Sequence, residues 1–308
     1  ATQGIQHHKI LDIDSKNPVT VLKLLFSIHQ IIKQKGITIV HTHHRMAAFY
    51  IRLLKFAHPK LTHVYTAHNV FKDKLPLYRF ALKNAKSVAV GEAVNNNLKE
   101  DVGITDSKVI YNGVILKETD NQVDDIVGYD GTKLGCIARL SEQKGLTYLI
   151  EAMSLLTVKN IRLFIVGDGE LRNELENKVE ELHLQDSVTF LGYRKDIVEC
   201  INSFDFLASS SLFEGLALNI IEAFMNGKTM VATDIPGINE IVNDENGILV
   251  PAKNPGALAG AIDKLATDVP LRNRLAFHAK KTYEKRFSYS MFLENYRALY
   301  REIQGEPK

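Results

Sequence analysis

The sequence predicts an α/β fold in which two doubly wound domains face each other across a cleft. Three observations carry this prediction. The chain has 308 residues, which is longer than a single hydrophobic core usually extends. Short apolar segments alternate with longer amphipathic segments, and one polar, acidic stretch at 115–132 interrupts the alternation. The expected architecture is therefore two parallel sheets with helices on both faces, joined by a linker.

The segments predicted as strands are short and mostly apolar. In the first half of the chain they are 37–43, 62–68, 87–91 and 108–114, and the helices between them are 19–35, 45–57, 75–85 and 93–101. In the second half the predicted strands are 134–138, 162–167, 187–192, 204–210, 229–234 and 247–250, again separated by helices. Residues 271–303 follow as a helical region without strands.

The same pattern sets the expected domain boundaries. The first domain covers residues 1–114, the linker covers 115–132 and the second domain covers 133–287. An amphipathic helix at 288–303 is expected to pack back on the first domain. In doubly wound folds ligands bind outside the carboxyl ends of the strands, so the loops after the strands are the places to look for chemistry.

The composition is that of an ordinary globular chain, with 45% hydrophobic and 24% charged residues. No apolar run reaches the length of about 18 residues that a transmembrane helix needs. Cys136 and Cys200 lie in apolar segments, which favours core packing over a disulfide or a metal site and fits a reducing cytoplasm. The start of the chain lacks both a Met and an apolar leader, so we expect a processed, trimmed or fragmentary chain.

Charge is distributed unevenly along the chain. Residues 1–113 carry 16 Lys+Arg and 7 Asp+Glu, whereas the remainder carries 22 and 29. One interpretation is two solvated surfaces of different charge. The other is that the basic half contacts an anionic partner, such as the inner face of a membrane or a phosphorylated acceptor. Nucleic acid is not expected, because no basic and aromatic stacking pattern is present.

Cations and glycines follow the predicted strands of the second half. Arg139 and Lys144 follow the strand 134–138, and Gly215 and Leu216 follow the strand 204–210. Cations and the unpaired amides of a helix start together form an anion site. The two cations fit a diphosphate, and the amides fit the same phosphates or an adjoining sugar.

Glu222 is a carboxylate with apolar neighbours, and we expect it two turns into a helix that starts near Gly215. A buried carboxylate needs a partner, and the vicinal hydroxyls of a ribose would supply two hydrogen bonds. A core pairing with Arg or Lys is the alternative. Arg139 alone would be read as a surface residue, and Gly167-Asp168-Gly169 alone as a tight turn.

Four segments of the second half resemble the nucleotide-binding half of family 4 glycosyltransferases. They are IARLSEQKGLTYLIEA, LFIVGDGELRNELE, VTFLGYRKDI and SLFEGLALNIIEAFMNGKTMVATDIPGINEIV. The Glu-x7-Glu motif of the family is matched by Glu214 and Glu222, and its Arg…Lys-Gly pattern by Arg139, Lys144 and Gly145. The resemblance is strong over 133–250 and looser over 37–113. It implies two Rossmann-like domains of the GT-B type, with the acceptor side in the first domain and the nucleotide-sugar site in the second.

The resemblance also implies residue roles. Arg139 and Lys144 would bind the donor diphosphate and stabilise the leaving group, in place of the divalent metal that other glycosyltransferases use. Glu222 would hold the ribose hydroxyls, and Glu214 would lie beside the donor sugar. The remaining expected residues form the base pocket (Tyr193, Arg194), the border of the nucleotide site (Asp168, Gly169, Glu170) and a row of backbone amides (Gly215, Leu216, Ala217, Leu218).

The candidate site residues in the first half of the chain are histidines. His68 would face the donor sugar across the cleft, and His43 is considered an acceptor-side residue, with a structural role as the alternative for each. The sequence Asp12-Ile13-Asp14 is interpreted as a chance match to a metal motif, and the resemblance implies neither a metal nor a cofactor.

The resemblance implies a retaining, metal-independent hexosyltransferase. The expected donor is a UDP-sugar, with a GDP-sugar second, and the expected acceptor is a saccharide or lipid-linked saccharide of cell-envelope or polysaccharide synthesis. The expected catalytic residues are Glu214, His68, Arg139 and Lys144. The alternatives are a nucleotide-sugar 2-epimerase and a nucleotide-sugar-binding fragment or subunit without catalysis of its own.

The amino-terminal end departs from the family pattern. Family members usually begin with a strand, a glycine-rich loop and a helix, for which we find no counterpart. The first recognisable element, QHHKILDI at 6–13, resembles a later strand. We therefore expect an incomplete first sheet, which a partner chain or a missing segment would complete.

Overall fold

A computed structural model describes residues 6–15, 17–115 and 119–305 of the chain. The chain divides into two compact units, Ala1–Ile110 and Tyr111–Lys308. Each unit contains one parallel sheet. Within the described ranges, no helix combines the length and the hydrophobicity that crossing a membrane requires.

The first unit is a four-stranded parallel sheet with the order β1-β2-β3-β4. Its strands are β1 (Ile39–Thr42), β2 (Thr62–Ala67), β3 (Lys86–Ala89) and β4 (Ser107–Val109). Its helices are α1 (Pro18–Lys35), α2 (Arg45–Leu54), α3 (Leu75–Leu82) and α4 (Glu92–Asn97), and α4 continues into a π-helical turn at Leu98–Val102. Each strand therefore connects to its neighbour through helical segments, as a parallel sheet requires.

Local sequence sets the ends of α1. The Asn17 side chain accepts a hydrogen bond from the Val19 amide at 2.9 Å, and Pro18 occupies the first helical position. Gly36 ends the helix in the left-handed region at φ 59°, a conformation that glycine adopts without steric cost. Between these caps Ile32 is buried in an apolar cluster with Ile51 of α2.

The second unit is a six-stranded parallel sheet with the order β10-β9-β8-β5-β6-β7. Its strands are β5 (Thr132–Ile137), β6 (Ile161–Val166), β7 (Val188–Gly192), β8 (Phe206–Ser209), β9 (Met230–Thr233) and β10 (Ile248–Val250). Its helices are α5 (Asp124–Val127), α6 (Leu146–Ser154), α7 (Arg172–Glu181), α8 (Ile197–Ser203), α9 (Leu218–Met225), α10 (Pro255–Thr267), α11 (Val269–Thr282) and α12 (Tyr289–Gln304). The strand order reverses between β5 and β8, which is the switch point of a doubly wound sheet.

The core of the second unit is closely packed around its central strands. Leu134 and Leu163 on neighbouring strands are fully buried, as is Phe206 on β8. A Cβ atom at Gly135 would lie 2.1 Å from the ring of Phe204. Glycine is therefore required at this position of β5, because the aromatic side chain occupies the space that a side chain would need.

The predicted α/β class and the alternation of strands and helices are confirmed, and the differences lie at element ends. The expected strand at 108–114 ends at Val109. Val114 instead forms an isolated parallel bridge with Ser288, and its amide donates to the Phe287 carbonyl oxygen at 3.2 Å. The helix expected to start near Gly215 starts at Leu218. Residues 98–101, expected as the end of the helix 93–101, belong to a π-helical turn at Leu98–Val102.

The segment 6–13, predicted to resemble a strand, forms none. Ile10 and Leu11 are exposed, and Ile13 accepts a hydrogen bond through its carbonyl oxygen from the Tyr50 hydroxyl of α2 at 3.2 Å. The segment is therefore attached to a helix rather than paired with the edge of the sheet.

Part of the expected linker at 115–132 is packed on the second unit. Val123 is buried, and its amide donates to Ser203 Oγ at 2.8 Å. Residues 116–118 of the linker lie outside the described residues. The expected boundaries and the packing of helix 288–303 on the first domain stay predictions.

Candidate functional site

A cavity of about 750 Å³ lies at the carboxyl ends of the central strands of the second unit. Its walls come from the loops after β5, β6, β7 and β8, next to the switch point of the sheet. The lining residues are Ile137, Ala138, Arg139, Lys144, Val166, Gly167, Asp168, Tyr193, Arg194, Lys195, Ile197, Glu214, Leu216, Ala217, Leu218 and Asn219. This is the position at which doubly wound sheets bind ligands.

The loops after β5 and β6 approach each other so closely that two glycines are required. Gly167 has φ 137°, and a Cβ atom there would lie 1.9 Å from the Ala138 carbonyl oxygen. A Cβ atom at Gly169 would lie 2.3 Å from the carbonyl oxygen of Leu140. Both positions therefore require glycine, and the loop they shape also brings Asp168 to the cavity wall.

Arg139 stands at the mouth of the cavity. Its side chain is 73% exposed, and its Nη2 atom lies 3.2 Å from Glu170 Oε2. An exposed ion pair of this kind contributes little to stability and is readily exchanged for another anion. Arg139 is therefore available to a phosphate at little cost.

Lys144 and Glu214 form an ion pair at the wall of the cavity. Lys144 Nζ lies 2.5 Å from Glu214 Oε1, and the two side chains are only 18% and 7% exposed. Ser211 Oγ donates to the same oxygen at 2.8 Å. Because both charges are largely removed from water, each depends on the other for compensation.

Gln143 and Ser210 join the loop after β5 to the loop after β8. Gln143 Nε2 donates to the Phe213 carbonyl oxygen at 2.9 Å and to Glu214 Oε2 at 3.3 Å. Ser210 Oγ donates to the carbonyl oxygen of Lys144 at 2.9 Å. Gly145, with φ 56°, fits only as glycine, because a Cβ atom would lie 2.4 Å from the Ser210 carbonyl oxygen. These contacts fix the positions of Lys144 and Glu214 relative to each other.

The start of α9 presents unpaired donors. In the described part of the chain, the backbone N–H groups of residues 215–219 have no hydrogen-bond acceptor. Leu216, Ala217, Leu218 and Asn219 also line the cavity. Unpaired amides at a helix start attract negatively charged groups. Asn219 itself donates through Nδ2 to the Ile137 carbonyl oxygen at 2.9 Å, which ties α9 to the end of β5.

Glu222 lies one helical turn into α9, on the fifth residue of the helix. Glu222 lies closer to the helix start than the expected two turns, because α9 begins at Leu218 and not near Gly215. Burial raises the pKa of its carboxyl group. Across the residues that the structure describes, the Glu222 carboxylate makes neither an ion pair nor a hydrogen bond, so the alternative of an internal Arg or Lys partner is not observed.

Tyr193 and Arg194 form the wall after β7. Tyr193 is 75% exposed, and the Arg194 guanidinium donates to Asp196, with Nε to Oδ1 at 2.9 Å. This hydrogen bond and the charge of Arg194 lower the pKa of the Asp196 carboxyl group. The side chain of Arg194 is therefore engaged within the protein, and its backbone remains for contact with a ligand.

Histidines gather at the carboxyl ends of β1 and β2 in the first unit. His43 Nδ1 and His68 Nε2 share a hydrogen bond of 3.0 Å, and His41 Nε2 lies 2.8 Å from Thr66 Oγ1. Burial, with a smaller contribution from the neighbouring rings, lowers the pKa of His41 to about 4, and the pKa values of His43 and His68 are also lowered. All three rings are therefore neutral near pH 7.

Most of the predicted donor-site residues meet at the cavity of the second unit. The predicted residues that line it are Arg139, Lys144, Asp168, Tyr193, Arg194, Glu214, Leu216, Ala217 and Leu218, whereas Gly169, Glu170, Gly215 and Glu222 lie outside its wall. The sequence-based prediction missed three residues: Gln143 and Asn219, whose contacts join residues 71 and 82 positions apart, and Ser211, which contacts Glu214 three positions along the chain. The predicted roles of all these residues stay predictions.

The fold and the cavity together define a two-unit α/β protein with a ligand site at the switch point of its second sheet. The chain belongs to the family described as glycosyl transferases group 1, whose model matches residues 127–282. A second family model, glycosyltransferase family 4, matches residues 2–118. The predicted resemblance to family 4 glycosyltransferases is thereby confirmed for both halves of the chain.

Curated relatives are glycosyltransferases. The chain is 31% identical over 216 residues to the uncharacterized glycosyltransferase MJ1607 of Methanocaldococcus jannaschii, with 64% of this chain and 55% of the relative covered. It is 26% identical over 284 residues to MJ1178 of the same organism, with 89% and 78% covered. The alpha-D-kanosaminyltransferase of Streptomyces kanamyceticus is 31% identical over 172 residues, with 54% and 45% covered. The chain thus spans about half the length of the first and third of these relatives.

Solved structures share the fold. Alr3699/HepE of Anabaena, in complex with UDP and glucose, superposes with a TM-score of 0.82 at 23% identity, covering 94% of this chain and 85% of that one. A glycosyltransferase from Rickettsia africae ESF-5 superposes with a TM-score of 0.81 at 26% identity, covering 97% and 84%. These likenesses confirm the predicted fold class, two α/β units of the GT-B type.

Proposed function

We propose that the protein transfers a hexose from a nucleotide sugar to a saccharide acceptor, with retention of anomeric configuration and without a metal ion. The observation that carries this proposal is the cavity of the second unit, where the Lys144–Glu214 ion pair lies beside the unpaired amides of α9. Cations and unpaired amides suit a diphosphate, and a carboxylate suits sugar hydroxyls. Membership of a glycosyltransferase family supports the same reaction class.

The proposed chemistry assigns each charged group to one part of the donor. Arg139, Lys144 and the amides of α9 would bind the diphosphate and offset the negative charge that develops as the nucleoside diphosphate leaves. Glu214 would accept hydrogen bonds from the sugar, and Glu222 from the ribose. The acceptor hydroxyl would attack from the side on which the diphosphate departs, which retains the anomeric configuration.

We propose a UDP-sugar as the donor and a GDP-sugar as the second choice. The UDP bound in the structure of HepE supports this order. The proposed acceptor is a saccharide or lipid-linked saccharide of the cell envelope. The excess of basic residues in 1–113 supports contact of that half with a phosphorylated acceptor or an anionic membrane.

A thermal-shift screen against nucleotide sugars tests the proposal. A ligand at 100 times its dissociation constant stabilises a protein by about 2.7 kcal/mol, so UDP and UDP-sugars are expected to raise the Tm clearly. The hits are then incubated with saccharide acceptors, and products are followed by NMR. A change in the sugar without any acceptor would indicate an epimerase, and binding without transfer or hydrolysis would indicate a subunit without catalysis of its own.

A further inference from the structure

Gln143 contacts three consecutive residues of the loop that carries Glu214. Its carbonyl oxygen accepts a hydrogen bond from the Leu212 amide at 2.8 Å. Its side-chain amide donates to the Phe213 carbonyl oxygen at 2.9 Å and to Glu214 Oε2 at 3.3 Å. Both protons of the amide group are therefore directed to acceptors in this loop.

The three donors to Glu214 are divided unequally between its two oxygens. Oε1 receives Lys144 Nζ at 2.5 Å and Ser211 Oγ at 2.8 Å. In the described part of the chain, Oε2 receives only the longer hydrogen bond from Gln143. A carboxylate oxygen accepts more than one hydrogen bond, so Oε2 retains capacity for a ligand hydroxyl.

Binding of a nucleotide sugar would change this distribution of hydrogen bonds to Glu214. A diphosphate that attracts Lys144 would weaken the shortest contact to Glu214, whose side chain is only 7% exposed. A buried carboxylate that loses its cation needs its remaining donors. Ser211 and Gln143 are those donors, and Gln143 is the one at the oxygen with free capacity.

We propose that Gln143 is a positioning residue that holds Glu214 Oε2 in place for the sugar of the bound donor. Gln143 acts through Glu214 and does not itself contact the reacting atoms. A neutral amide suits this role because it donates a hydrogen bond without competing for the diphosphate, as a second cation would. This inference rests on the proposed function of the cavity.

The test compares Gln143→Met, which keeps the side-chain length but has no donor, with Glu142→Met as the matched control. Glu142 is exposed, and within the described ranges its carboxylate has no hydrogen bond or ion pair. Gln143→Met is expected to lower kcat by about tenfold or more, as expected for a lost hydrogen bond to a charged group, and to weaken UDP-glucose binding. Its Kd for UDP is expected to stay within about twofold of the wild type, and the control to match the wild type throughout.

A double-mutant cycle with Glu214→Ala separates positioning from a general structural role. The effect of Gln143→Met on the ratio of the UDP and UDP-glucose Kd values is expected to vanish when Glu214 is absent. The inference is overturned if the same fold-change appears in both backgrounds, if UDP and UDP-glucose binding weaken equally, or if Gln143→Met behaves like the control.

A second cycle on the ligand-free protein keeps this inference separable from the proposed function. The fall in Tm caused by Gln143→Met is expected to be smaller in the Glu214→Ala background than in the wild type. If the wild type transfers no sugar, the proposed function is wrong. The hydrogen bond from Gln143 to Glu214 is then tested by the Tm values of the ligand-free proteins alone. Equal falls in both backgrounds would overturn the inference whatever the activity.

Discussion

Lys144 and Glu214 place two largely buried, opposite charges at the wall of the cavity. Their charges are 2.5 Å apart, and the two side chains are 18% and 7% exposed. Neither charge can be removed without leaving the other in a poorly solvated position. The pair therefore holds both side chains at the wall of the cavity before any ligand arrives.

Removing one charge of this pair is expected to lower the free energy of unfolding more than removing both charges. Lys144→Met should lower the free energy of unfolding by about 3 kcal/mol, because a buried charge is left without its partner. The double variant Lys144→Met/Glu214→Gln should recover most of that loss while remaining inactive. Urea unfolding of the four proteins measures the effect, and single variants within about 0.5 kcal/mol of the wild type would contradict the buried pair.

Glu222 is expected to lower stability in the absence of ligand. Its pKa is raised in the folded protein because burial disfavours the charged form. The charged Glu222 carboxylate therefore lowers the free energy of unfolding fully above its folded pKa. This destabilisation disappears as the pH falls through the folded pKa toward the unfolded value of about 4.3. Glu222→Gln should raise the Tm at pH 8, and the gain should shrink toward pH 5.

The matched control for this titration is Glu245→Gln, since Glu245 is exposed. Differential scanning calorimetry at several pH values gives the comparison. A Tm gain for Glu222→Gln that does not change with pH, or a loss at pH 8, would show that Glu222 already has a compensating partner.

At the scale of elements, the sequence predicts the strands well and the contacts between loops poorly. Apolar strands such as β6 and β8 are visible because each lies in a short apolar segment bounded by polar residues. The contact of Gln143 with Phe213 and Glu214 is not visible, because it joins residues about 70 positions apart. The helix α9 begins three residues after the expected start near Gly215, because Leu216 and Ala217 extend its apolar pattern toward the loop.

The loops at the cavity tolerate no side chain at their closest approach. Gly167→Ala is expected to lower the free energy of unfolding by about 3 kcal/mol or more, because the new Cβ atom would lie 1.9 Å from the carbonyl oxygen of Ala138 and the residue has φ 137°. Gly260→Ala in α10 is the control, since a Cβ atom there meets nothing within 4 Å. That helical substitution should stabilise by about 0.5–1 kcal/mol. Equal effects of the two changes would contradict the close approach.

At the scale of the whole molecule, the two units divide the predicted chemistry unequally. The second unit holds the cavity, the ion pair and the unpaired amides. The first unit contributes neutral histidines at the ends of β1 and β2 and an excess of basic residues, whereas acidic residues are in excess in the rest of the chain. Recognition of the nucleotide is therefore expected to depend on the second unit, and the choice of acceptor on the first.

We propose that the cavity of the second unit binds a nucleoside diphosphate, with Glu222 on its ribose and without a metal ion. Isothermal titration calorimetry of UDP in buffer containing EDTA tests it most directly, with the wild type, Glu222→Gln and Glu245→Gln. We expect the wild type and Glu245→Gln to bind UDP alike, and Glu222→Gln to bind it roughly 10- to 100-fold more weakly, as for lost hydrogen bonds to a charged group. Equal affinity of all three proteins, or no binding until a divalent cation is added, would contradict it.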